Sequence, residues 1–279
     1  MILLSPDNYS VAEGLLSTVE INSFFALSVI KHHVKGKVFV DNVTEPNCFY
    51  VLHPSGMSLL FGKVSNAFLT SSLKRYLLGK TSLRKSDESL QVFPADLEKR
   101  IDAVLGNELC ESETVKNQDY SACSVVKYKR INFSFNLEKF EAVLENLEIE
   151  ASIFREIDKT LYKGFTGVVV PNEFWDTADD FQSLGTGFAL MYNDQPAAVA
   201  FSSFQHDGFL ELGVETKAEF RNRGLATIVC AKLILYCLQE GYEPVWSCRL
   251  GNNGSYNLAL KLGFEVVATL PYYELLMDS

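Results

Sequence analysis

Glu211 and Glu215 stand four residues apart in Leu210–Thr216 (LELGVET), a stretch that alternates as a strand, so both carboxylates project from one face. Carboxylates on a rigid face suit general-base work, either directly or through a water. Lys217, Arg221 and Arg223 follow within seven residues, then Gly224, then the apolar run Leu225 to Glu240. That run reads as a helix stopped by Gly241 at its C′ position. A strand entering a basic, glycine-bearing loop that opens a helix is suited to an anion. The first N–H groups of the helix have no partner within it, and its dipole favours negative charge there. Gly224 and Ala226 carry little or no side chain, so a pyrophosphate can approach the backbone closely. The segment argues for an enzyme that handles a phosphate-bearing cofactor.

A length of 279 residues suits two domains, and 47% apolar with 22% charged residues is ordinary for a globular chain. The charge is uneven: residues 1–130 carry a net +1 and residues 131–279 a net −11. An acidic second half argues against nucleic acid as a partner. A basic island within it suits a phosphorylated cofactor, and the acidic remainder favours a cationic amine. No apolar run approaches a membrane span, so no membrane partner is expected. The opening MILLSPDNYS lacks the basic start and long apolar stretch of a signal peptide, which predicts a cytoplasmic protein. The six cysteines form no CxxC pair and have no histidines at ligand spacing, so reduced thiols and no metal are expected. Gly185-x-Gly187 lacks the third glycine and the following helix of a dinucleotide fingerprint.

These groups need a frame. The periodicity predicts helices over 11–33, 66–78, 97–105 and 137–147, and strands over 37–41, 48–52, 57–61 and 127–135. Residues 110–122 are polar and read as a linker, and 152–161 as a strand followed by a turn or helix. Val168–Val170 reads as a strand, with Trp175-Asp176 after it as candidate lining for an acceptor pocket. Strands over 188–192 and 197–204 flank the turn Asn193–Pro196, with further strands at 208–216, 244–248 and 264–270. The last helix covers 255–262. This irregular alternation of helices with hairpins predicts an α+β fold on a mixed sheet. The first half loosely repeats the element order of the second.

Arg221-Asn222-Arg223-Gly224-Leu225-Ala226 fits the Q/R-x-x-G-x-G/A signature of the GNAT superfamily of acyl-CoA-dependent N-acyltransferases. Asn252, Ser255, Leu258, Lys261, Gly263 and Phe264 fall at the spacings of that family's N-x-x-S-x-x-L-x-x-K-x-G-F stretch. The chain therefore resembles GNAT proteins from about Lys127 onward. Gly185-x-Gly187-Phe188, Trp246-x-Cys248 and the final KLGF make it similar to the bacterial two-part GNAT acetyltransferases. The resemblance implies a GNAT fold, a twisted and mostly antiparallel mixed sheet flanked by helices, over 127–279. Residues 1–126 would then form an N-terminal α/β region that shapes the acceptor site or a homodimer, or would be a degenerate GNAT-like half.

It also implies acetyl-CoA as co-substrate and a primary amine, on a small molecule or a peptide, as acceptor. The backbones of Val214 and Thr216 would pair with the pantetheine arm, with the Val214 N–H as an oxyanion donor. Arg221, Asn222, Arg223, Gly224, Leu225, Ala226 and Thr227 would hold the phosphates. Asn252 would reach the pantetheine or the thioester, and Ser255 would cap its helix or touch CoA. Glu215 or Glu211 would be the base. The family's usual thiolate-protonating tyrosine, seven positions after the Asn, is replaced here by Ala259. Tyr256, Cys248, Tyr272 and Tyr273 are the candidate replacements. That gap leaves a second expectation, a CoA-binding sensor or scaffold without turnover.

Overall fold

The computed structural model describes residues 1–112, 123–147, 149 and 153–277. The chain folds as two compact units. The first holds Met1–Ile131, Arg249–Asn252 and Thr269–Ser279, and the second holds Asn132–Cys248 and Asn253–Ala268. The units are thus not consecutive segments: the chain leaves the first at 131/132, five residues beyond the division expected from sequence at 126/127, and later returns to it twice.

In the first unit, β1 (Ile2–Leu3) precedes a 3-10 turn (Pro6–Ala12), α1 (Glu13–Leu16) and α2 (Phe24–Ile30). The single helix expected over 11–33 is broken between Ser17 and Ser23. Ser17 and Thr18 turn their hydroxyls back onto the carbonyls of Gly14 and Leu15, competing with the helical ladder where Val19 and Ile21 also disfavour it. Next come β2 (Lys37–Val40), β3 (Cys48–Leu52) and β4 (Met57–Gly62), joined antiparallel. A helix follows in three pieces, α3 (Asn66–Phe68), a π turn (Leu69–Leu73) and α4 (Lys74–Leu77), capped by the Ser65 hydroxyl on Phe68 N–H.

The chain then forms β5 (Glu88–Phe93), which runs parallel to β4. Sequence gave no sign of β5, because Glu88 and Gln91 are buried within it and blur the apolar pattern. After α5 (Asp96–Leu105), β6 (Leu109–Glu111) pairs parallel with the start of β7 (Val125–Phe135). The helices over 66–77 and 96–105 bury Leu69, Leu73, Tyr76, Leu97 and Ile101 against Phe39, Tyr50, Leu60, Leu90 and Val92. Most of the linker expected at 110–122 lies outside the described residues.

Within this unit Cys110 and Cys123 pair as a disulfide, with Cα atoms 5.9 Å apart, where free thiols were expected. The parallel pairing of β6 with β7 brings the ends of this thirteen-residue separation together, which a search for CxxC spacing does not detect. The other four cysteines are thiols in buried positions. Burial pushes those of Cys48 and Cys237 up to about 12 and that of Cys230 higher still.

The second unit opens with the rest of β7, then α6 (Leu137–Leu144), β8 (Ile153–Glu156), α7 (Lys159–Gly164), α8 (Pro171–Phe174) and α9 (Ala178–Leu184). The strand expected at 168–170 is instead an irregular bend. Four antiparallel neighbours follow in the order β8, β9 (Gly187–Tyr192), β10 (Gln195–His206) and β11 (Phe209–Thr216). Asn193 and Asp194 both take positive φ, as a two-residue hairpin turn requires. The chain continues through α10 (Leu225–Glu240), β12 (Glu243–Arg249), α11 (Asn253–Lys261) and β13 (Phe264–Leu275). The last strand runs beyond the expected 270, and its end pairs with β5 inside the first unit.

α10 packs on one face of β9–β11, burying Val229, Cys230, Leu233, Ile234 and Cys237. α7 to α9 cover the other face, where Leu161, Phe165, Trp175 and Phe181 meet Ala189, Val199 and Phe201. Among the described residues no helix is long and apolar enough to cross a membrane.

Candidate active site

The site is built where β11 and β12 part. They pair in parallel over three rungs, Phe209↔Glu243, Leu210↔Pro244 and Glu211↔Val245. Both strands then continue, to Thr216 and Arg249, with no ladder between them. A wedge opens between Leu212–Thr216 on one side and Trp246–Cys248 on the other. Backbone N–H and C=O groups along that edge of β11 are therefore available to a ligand that adds as a strand.

From Thr216 the chain runs through Lys217–Gly224 into α10. Ala218–Phe220 form a 3-10 turn, and Asn222 (φ 62°) and Gly224 (φ 77°) are left-handed. A Cβ on Gly224 would meet nothing within 4 Å, so conformation, not crowding, calls for glycine here, and the space beside the backbone is open. No side chain caps α10. The first-turn N–H groups of a sixteen-residue helix thus face an open approach.

The basic residues of the loop are held in place. Arg221 donates from Nε to the Thr216 carbonyl (3.0 Å) and from Nη2 to Glu215 Oε1 (3.1 Å). Arg223 lies over the rings of Tyr192 (5.3 Å) and Phe220 (5.7 Å) and donates to the Glu219 carbonyl. Lys217 sits over Phe165, 5.7 Å from the ring centroid. The loop is fixed before any ligand arrives.

The two carboxylates differ. Glu215 accepts from Arg221 and from the Thr216 N–H (3.2 Å), and Gly167 passes so close that a Cβ there would lie 2.8 Å from Oε2. It clasps the loop. Glu211 is 4% exposed on the last rung of the ladder. Its Oε1 accepts from Ser247 Oγ at 2.5 Å, and its carbonyl accepts from Ser203 Oγ at the bulge in β10. Phe204 is its cross-strand neighbour. Gly213, between the two carboxylates, is glycine because a Cβ would strike the Phe201 ring at 2.5 Å.

Of the residues expected at the site, Glu211, Glu215, Val214, Thr216, the Arg221–Thr227 segment, Ser255, Tyr256 and Cys248 all lie in the second unit. Ser255 Oγ accepts from the Trp246 indole N–H at 3.1 Å. Tyr256 packs on Phe133, and Cys248 is buried. Ala259 is fully buried. Asn252, Tyr272 and Tyr273 belong to the first unit. There Tyr273 is buried and donates to Asp102 (2.8 Å), and Tyr272 lies beneath the Arg130 and Arg249 guanidinium groups. Trp175, expected near an acceptor, is buried with its N–H on the Ser202 carbonyl. Ser247 carried no signal in the sequence. A lone serine in PVWSC becomes notable only once the parallel register sets it beside Glu211.

The model of the family described as GNAT acetyltransferase matches residues 16–273, nearly the whole chain. The chain belongs to that family. It is 25% identical over 251 residues to the uncharacterized N-acetyltransferase YdfB of Bacillus subtilis (strain 168), covering 89% of each protein. A GCN5-related N-acetyltransferase-like protein from Streptococcus suis 89/1591 shares its fold, with a TM-score of 0.67 at 20% identity over 96% of this chain and 98% of that one. A GNAT-family acetyltransferase from Colwellia psychrerythraea aligns with a TM-score of 0.56 at 13% identity, over 99% and 98%. The GNAT fold and an acetyltransferase enzyme follow, and a non-catalytic sensor finds no support. Among the described residues of this GNAT protein, no group of three or more His, Cys, Asp or Glu side chains could hold a metal.

Proposed function

We propose that this enzyme transfers the acetyl group of acetyl-CoA to a primary amine, on a small molecule or a peptide, by direct attack of the amine on the thioester in the cytoplasm. The observation that carries the reading is the ladder that stops at Glu211/Val245 beside an uncapped helix N-terminus. The pyrophosphate would rest on the N–H groups of Gly224–Thr227, with Lys217, Arg221 and Arg223 supplying charge. The pantetheine arm would lie in the wedge along Val214–Thr216 as an added strand. Val214 N–H would donate to the developing oxyanion.

Glu211 is the base in this scheme, and Glu215 is a positioning residue. The Arg221 guanidinium compensates the charge of Glu215, whereas Glu211 lies buried on the last rung with the Ser247 hydroxyl on its Oε1. A net charge of −11 over 131–279 favours a cationic acceptor. A thiol-release assay with acetyl-CoA across a panel of amines tests the reading. Turnover with at least one primary amine is expected. Tight acetyl-CoA binding with no thiol released by any amine would contradict it.

A further inference from the structure

We infer that Ser247 is the acid of the reaction, working with Glu211 as one proton relay that replaces the absent tyrosine. This rests on the acetyl-transfer reading above. Position 259, where the family's tyrosine would stand, holds an alanine that is fully buried in α11. Tyr256 is packed on Phe133, and Tyr273 hydrogen-bonds Asp102. Ser247, by contrast, stands two residues past the last rung on β12, on the strand face of Val245, and its hydroxyl reaches Glu211 at 2.5 Å. The pair therefore bridges the apex of the wedge, at the closed end of the groove proposed for the pantetheine arm. A half-buried hydroxyl held this short against a carboxylate is a charge-assisted bond and is oriented before substrate arrives.

The chemistry balances with no further group. The amine nitrogen bonds to the thioester carbon, and Glu211 takes the proton that the nitrogen loses. When the tetrahedral adduct collapses, the C–S bond breaks and its electron pair leaves on sulfur. Ser247 Oγ passes its proton to that sulfur while Oγ receives the proton from the Glu211 carboxyl. Amide and free CoA thiol are formed, and Glu211 and Ser247 return to carboxylate and hydroxyl. One carboxylate thus serves the base and acid steps, and serine need never exist as a free alkoxide.

The test compares wild type with Ser247→Ala and Ser247→Thr, using acetyl-CoA and an amine that wild type turns over. Ser247→Ala should lower kcat about 100-fold and leave acetyl-CoA affinity, read by titration calorimetry, within about threefold. Ser247→Thr, which keeps the hydroxyl, should recover most of the rate. In H₂O/D₂O mixtures the wild-type kcat should curve with deuterium fraction, because two protons move together, and Ser247→Ala should give a straight line. Three results would overturn the relay: full kcat in Ser247→Ala, unchanged curvature despite a lost rate, or loss of acetyl-CoA binding together with kcat. Absence of turnover by wild type with every amine would instead remove the acetyl-transfer reading and the relay with it.

Discussion

Both units contain a strand, a helix and a parallel strand in succession, and the two versions are built to opposite ends. In the first, β4 and β5 are paired over five rungs, from Met57↔Ser89 to Phe61↔Phe93. Three residues, Lys63–Ser65, lead from β4 into a helix whose N-terminus is closed by the Ser65 hydroxyl. In the second, β11 and β12 share three rungs, and eight residues with two left-handed positions lead into an uncapped helix. One arrangement satisfies its own backbone. The other leaves an edge and a helix N-terminus open, which is why the proposed cofactor site is placed in the second.

The buried carboxylates follow the same division. Glu88 on β5 receives the hydroxyls of Tyr50 and Tyr76 (2.6 Å from Tyr76), and burial raises its pKa. It is closed in by partners that fix a core. Glu211 accepts the Ser247 hydroxyl on Oε1 and sits where the wedge begins. A carboxylate alone therefore identifies nothing, and its place on the ladder decides its use.

The largest expected effect lies at Glu211. Glu211→Gln should lower kcat by about 10²- to 10³-fold while acetyl-CoA affinity is kept; a variant with near wild-type kcat would move the base elsewhere. Next comes the loop. Gly224→Val forces a β-branched residue into a left-handed position, a strain of about 1–2 kcal/mol, and should weaken acetyl-CoA binding about tenfold or more in a calorimetric titration. Unchanged affinity would mean that the loop does not cradle the phosphates.

The smallest effect concerns stability in the first unit. Because the folded pKa of Glu88 lies above its ordinary value of 4.5, the folded state binds the extra proton. Its contribution is fully present below that value and is lost as pH rises through the folded pKa. Denaturant unfolding should show wild type losing stability relative to Glu88→Gln over that rise, with acetyl-CoA affinity the same in both. A difference independent of pH would show that the carboxyl is not held protonated by burial.

The second unit was the more legible in sequence for physical reasons. Its central strands are continuous apolar runs, Asn193-Asp194 marks a hairpin, Gly241 and Gly263 end their helices, and the loop signature stands between strand and helix. The first unit hides β5 because buried Glu88 and Gln91 occupy positions where apolar residues are expected. Its long first helix fails where Ser17 and Thr18 cap the chain locally. At the site, sequence supplied the loop and both glutamates but not their difference. The Arg221 clasp on Glu215 and the Ser247 bond to Glu211 depend on side-chain placement and register, which spacing along one chain does not encode.

The asymmetry between the two units is tested most directly by calorimetric titration of the intact protein with acetyl-CoA, alongside Gly224→Val. Binding of one equivalent per chain is expected, with Kd on the order of micromolar to sub-millimolar, as for ordinary enzyme substrates, and marked weakening in the variant. Two equivalents, no heat at millimolar ligand, or equal affinity in the variant would contradict the assignment of the cofactor to the open wedge of the second unit.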